Sequence, residues 1–80
     1  MPPRSASHAA FGAAIREIRE EQGLSQEELA LEAELDRSYF GGVERGERNV
    51  SLANVFRIAD ALGIQPSQIH FRAEKRRSRR

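Results

Sequence analysis

His8 and His70 are the only imidazoles in a chain of 80 residues that has no cysteine. They lie near opposite ends, and neither stands at a metal-ligand spacing or beside a nucleophile that it could activate. The sequence therefore predicts no enzyme, no metal site and no cofactor. What remains is the chemistry of charge and directed hydrogen bonds. It gathers first at Asp36, Arg37, Ser38 and Tyr39, where an acid suited to cap a helix is followed by a guanidinium and two hydroxyls. Such side chains recognise acceptor groups on another molecule, and the arginine fork suits a planar pair of them.

Charge limits what that other molecule is. Residues 72–80 hold six basic side chains against Glu74, a net +5, which leaves −4 on residues 1–71 within an overall formal charge of +1. A protein binding polyanions regardless of sequence would be basic over its folded surface, because neutralised phosphates supply most of the non-specific affinity. Any nucleic-acid contact is therefore a confined patch on an acidic body, assisted by the tail. The length suits one domain, and with no disulfide or thiolate site an apolar core must stabilise it. The N-terminal residues lack the apolar stretch of a secretory signal, and no run is long enough to span a membrane, so a soluble cytoplasmic protein is expected.

The elements that would position these residues follow from apolar spacing and caps. Phe11, Ile15, Ile18 and Gln22 share a helical face, which predicts a first helix from about His8 to Gln22, with Ser7 as cap and Gly23 as terminator. Ser25 and Glu28 form a capping box for a second, short helix ending near Ala33. Asp36 caps a third over Arg37 to Arg45, stopped by Gly46, with Phe40 and Val43 inward. Ser51 caps a fourth through Leu52, Val55, Phe56, Ala59 and Leu62, closed by Gly63. Pro66 opens a fifth that reaches Ile69 and about Phe71. The expected fold is all-α, a compact five-helix domain over residues 8–71 with a disordered segment 1–7 and a flexible basic tail 72–80.

Two short helices joined by a tight turn, the second opening on polar side chains, have the geometry that lays a helix N-terminus in a DNA major groove. The run GLSQEELALEAELDRSYFGGVERGERNVSLANVFRIADALGI resembles the lambda-repressor-like helix-turn-helix family of Cro, phage repressors and XRE regulators. Within it, LDRSYFGGVERGERN is similar to the controller proteins of restriction-modification systems. The likeness covers about residues 11–71. It implies a sequence-specific transcriptional regulator acting as a homodimer on double-stranded DNA, with a pseudo-palindromic operator, no membrane and no small-molecule effector.

The resemblance also implies roles for particular residues. Arg37, Ser38 and Tyr39 fall where the family reads bases, and Arg37 could fork onto O6 and N7 of a guanine, while for Tyr39 a buried aromatic filling the gap between the second and third helices is an equal alternative. Gln26, Arg45, Arg48, Asn49 and Ser51 match positions that hold the DNA backbone. Arg19 and Glu44 resemble a structural ion pair that sets the angle of the third helix. The last two helices offer more apolar side chains than one small core can bury, and the family dimerises at this end. Val55, Ile64 and Ile69 are therefore the expected dimer contacts.

Two positions depart from the family pattern. Glu34 occupies a turn site that normally takes Gly or Asn because φ is positive there, a strain of roughly 1 kcal/mol for a residue with a Cβ. Gly41 and Gly42 stand within the third helix and remove two side chains that could read bases. A rival reading takes the chain as an antitoxin-type module that grips a protein partner through the basic tail while also binding DNA.

Overall fold

The computed structural model describes residues 2–78, and among them every regular element is a helix. Helix α1 spans Ala6–Glu21, α2 Gln26–Ala33, α3 Arg37–Glu44, α4 Leu52–Leu62 and α5 Pro66–Arg77. The expected five-helix all-α architecture is found, with different ends. Ser5 rather than Ser7 caps α1, its hydroxyl oxygen accepting the His8 N–H at 3.1 Å, so the helix begins two residues early. Nothing in an alanine-rich start marks one serine over the other. The Ser25–Glu28 capping box and the Asp36 and Ser51 caps are formed as the sequence predicts.

The turn between α2 and α3 decides how the two helices meet. Glu34 sits there at φ 60° and ψ 43°, in the left-handed region, so the turn keeps its shape although its residue carries a Cβ. The Leu35 N–H then returns to the Ala30 carbonyl at 2.8 Å and closes the helix end.

Phe40, Ile15, Leu29, Ile58, Ile69 and Val43 are the large side chains wholly removed from solvent, and they come from all five helices. Burying each contributes about 1.5–3 kcal/mol relative to leaving it in water. α1 packs on α5 and on α3, while α2 packs on α4 and α3, so α3 is held from two sides. The crossing of α1 over the end of α3 is made at backbone distance. A Cβ on Gly12 would lie 2.2 Å from the Val43 carbonyl oxygen, and one on Gly46 would lie 2.8 Å from the Ala9 Cα. The Arg4 N–H also donates to the Gly46 carbonyl at 2.8 Å, although residues 1–7 were expected to be disordered.

The flexible tail is corrected over its first six residues. α5 continues to Arg77 because Ala73 is buried against the core and Arg72 reaches across to α1. Arg72 donates to Glu17 at 2.8 Å and also to Glu21, and Arg76 donates to Glu17 at 3.2 Å. Arg79 and Arg80 lie outside the described residues. Among the described residues no helix is long and apolar enough to cross a membrane.

Candidate nucleic-acid interface

The two middle helices are joined by one buried polar knot. Arg19 Nε donates to Glu44 Oε2 at 2.7 Å and its Nη2 to Oε1 at 3.1 Å, while Nη1 donates to the Leu24 carbonyl at 2.8 Å. Gln26 Nε2 donates to the same Glu44 Oε1 at 2.8 Å. The Arg19 and Glu44 side chains are only 9% and 1% exposed, so the pair interacts in a poorly screened setting. The Glu44 hydrogen bonds raise the Arg19 guanidinium above its ordinary, already high, range. The knot ties the ends of α1 and α3 to the first residue of α2 and so fixes the angle of α3.

Arg37 and Ser38, at the start of α3, are exposed, and Asp36 caps them through the Tyr39 N–H at 3.0 Å. Gly41, one turn further along α3, is buried beneath side chains. A Cβ there would stand 3.2 Å from Arg45 Nη1, 3.5 Å from Gln26 Oε1 and 3.9 Å from Arg37 Nη1. Two guanidinium groups and an amide thus converge on one small patch of helix surface. On an acidic body they form a small basic patch. Gln26 has spent an amide hydrogen on Glu44, which leaves its backbone N–H at the start of α2 for an outside anion.

Tyr39 is placed differently from its two neighbours. It is half-buried, its hydroxyl donates to the Asn49 carbonyl at 2.9 Å, and it accepts from Asn54 Nδ2 at 3.2 Å. The Arg48 guanidinium lies 5.4 Å from its ring centroid. With the hydroxyl committed inside the protein, Tyr39 braces the loop between α3 and α4, and only its ring remains to face outward. Arg48 in turn runs over Gly42, where a Cβ would meet its Cγ at 2.4 Å. Arg45 and Asn49 are exposed beside it, with Arg45 Nε 3.2 Å from Glu47 Oε1. The Ser51 hydroxyl oxygen accepts the Asn54 N–H at 3.1 Å, so its observed work is to cap α4. Asn54 and His8, which contact Tyr39 and Asn49, carry no sequence signal that singles them out.

The dimer contacts need correction. Ile69 is wholly buried in the protomer's own core and Val55 keeps only 6% of its surface, so neither has area to offer a second chain. Ile64 is half-buried. The apolar surface that α4 leaves in solvent is Leu52 and Phe56, which lie one turn apart on the same face, and Phe71 is exposed on α5. Among the described residues no cluster of His, Cys, Asp or Glu is arranged to hold a metal ion.

Fold and site together are those of a helix-turn-helix protein, and the chain belongs to the helix-turn-helix family, whose pattern matches residues 15–69. Its relatives include restriction-modification control proteins. Control protein C.BamHI of Bacillus amyloliquefaciens is 48% identical over 60 residues, which are 74% of this chain and 74% of that protein. Control protein C.MunI of a Mycoplasma species is 42% identical over 66 residues, 81% of this chain and 89% of that one. The crystal structure of the restriction-modification controller protein C.AhdI from Aeromonas hydrophila superposes with a TM-score of 0.80 at 54% identity, covering 81% of this chain and 98% of that one.

Proposed function

We propose that this chain is a sequence-specific, DNA-binding transcription regulator of the restriction-modification controller type, and that it reads a pseudo-palindromic operator as a homodimer in the cytoplasm. The observation that carries the reading is the convergence of Arg37, Arg45 and Gln26 over Gly41, whose backbone these side chains cover. A glycine there leaves room for these side chains to lie side by side on the helix, Arg37 supplies the base-reading fork, and Arg45, Arg48 and Asn49 flank it as backbone contacts. The protein acts by binding and carries out no catalysis. Leu52 and Phe56 support a two-fold contact along α4, and a second copy seated there would cover an apolar face that water otherwise meets. The partner-grip alternative rests on a free basic tail, and residues 72–77 of that tail are the end of α5.

Selection of bound duplexes from a random DNA pool tests the reading. Enrichment of inverted half-sites about one helical turn, roughly 34 Å, apart is the expected result. A pool that stays random after repeated selection would overturn it.

A further inference from the structure

We propose that His8, at the start of α1, is a positioning residue for DNA-backbone contact, acting through Asn49; the inference rests on the DNA-binding reading above. The ring bridges two partners. Nδ1 lies 2.7 Å from the Ser5 hydroxyl, and Nε2 lies 2.7 Å from Asn49 Oδ1, 41 positions further along the chain. An amide oxygen only accepts, so Nε2 carries the hydrogen and donates it. In the neutral ring Nδ1 is then the acceptor, and the Ser5 hydroxyl donates to it while its oxygen accepts the His8 N–H at 3.1 Å. The ring N–H, the serine hydroxyl and the His8 backbone N–H then each meet an acceptor.

The consequence falls on Asn49. Its backbone carbonyl is held by the Tyr39 hydroxyl at 2.9 Å and its side-chain oxygen by His8, so the residue is held through its backbone from α3 and through its side-chain amide from α1. With Oδ1 spent, Nδ2 is the end of the amide left without a partner among the described residues, and Asn49 is exposed in the loop beside Arg48. A donor held in one orientation binds a phosphate oxygen without first losing the freedom to flip. The N-terminal segment is fastened to the same loop independently, by the Arg4 N–H on the Gly46 carbonyl and by the close approach of Gly46 to Ala9, so the ring has a rigid base from which to act.

The test is a double-mutant cycle on affinity for a mixed-sequence duplex of about 30 base pairs, read by fluorescence anisotropy alongside thermal unfolding. His8→Ala and Asn49→Ala are each expected to weaken binding about three- to tenfold, and the double variant no more than either alone. His8→Gln, whose amide nitrogen can stand where Nε2 stands, should restore most of the affinity. Additive losses, or a His8→Ala variant that is less stable but binds undiminished once folded, would overturn the proposal and leave His8 as part of the helix cap. Wild type and Arg37→Ala are measured in parallel. If wild-type protein binds neither this duplex nor any drawn from the random pool, the DNA-binding reading itself fails; if it binds and the cycle is additive, only the role of His8 does.

Discussion

Arg19, in the last turn of α1, and Glu44, the final residue of α3, meet as a two-pronged ion pair whose carboxylate is almost entirely shielded from water. Forming such a pair in the interior gains little over a matched apolar pair, but breaking one half leaves a buried charge exposed to a medium that cannot solvate it. Arg19→Ala is therefore expected to cost about 3–5 kcal/mol in urea unfolding, a large share of a small domain's stability. The double replacement Arg19→Met with Glu44→Gln, which strands no charge, should be more stable than Arg19→Ala alone. A single variant within about 0.5 kcal/mol of wild type would show that water reaches the carboxylate after all.

Arg37 stands exposed on the first turn of α3, clear of the knot that fixes the helix. Arg37→Ala should leave the unfolding midpoint unchanged while costing about 1–3 kcal/mol on the selected operator, and it should relax preference at one base pair per half-site. Repeating the selection with the variant protein checks this. An identical enriched sequence would remove Arg37 from the reading surface.

Glu34 holds a left-handed conformation at φ 60°, a strain that glycine does not feel. Its carboxylate lies 3.7 Å from Arg57, between side chains 84% and 51% exposed, and such a contact contributes little. Glu34→Gly should raise stability by about 0.5–1 kcal/mol with operator affinity intact, measured by thermal unfolding and anisotropy. A destabilised variant would mean that the loss of chain stiffness in the unfolded state outweighs the relief of strain.

Leu52 and Phe56 are 73% and 49% exposed on one face of α4. Replacing both with Glu is expected to leave a folded monomer by sedimentation, with cooperative operator binding lost. A variant that sediments and binds operator as the wild type does would remove this face from the proposed interface.

Glu17 is held below its ordinary value of 4.5, chiefly by its hydrogen bond from Arg72, and Arg72 is held above its own by Glu21 and Glu17. A carboxylate whose folded value is depressed stabilises the fold above its unfolded value and loses that contribution as pH falls through the lower, folded one. The docking of α5 on α1 should thus weaken from about pH 4.5 downward, modestly because the groups are well exposed. Thermal midpoints recorded on acidification should fall less steeply in Arg72→Met than in wild type. Equal slopes would show that this cluster is not what acid disrupts.

The elements were legible in the sequence where a local signal existed. Ser25 with Glu28, Asp36, Ser51, Gly23 and Gly63 each mark an end within one turn, and the structure keeps those ends. The basic tail was not legible, because the acids that draw Arg72 into the fold lie 55 and 51 positions away on α1, and to a local reading a run of arginines is solvated charge. Counting apolar residues revealed a surplus on α4 and α5 but not its direction. Val55 and Ile69 face inward while Leu52 and Phe56 face out, and only the packing of α4 against its neighbours separates them. The knot was legible as Arg19 and Glu44, whereas the Leu24 carbonyl and the Gln26 amide joined it through geometry alone.

The backbone contact at Gly12 bears on how the molecule melts. α3 has eight residues, well short of the roughly 12–15 at which a helix begins to hold its shape alone, and two of its eight are glycines. It keeps its form only while α1, whose contact with it spans some thirty positions of chain, lies across its end. The helix proposed to meet DNA therefore has no independent life as a folding unit: it is not a mobile finger on a firm palm but the innermost tenant of one cooperative transition. On heating, the loss of binding and the loss of the whole domain should coincide, and amide exchange along α3 should report the global opening rather than local fraying.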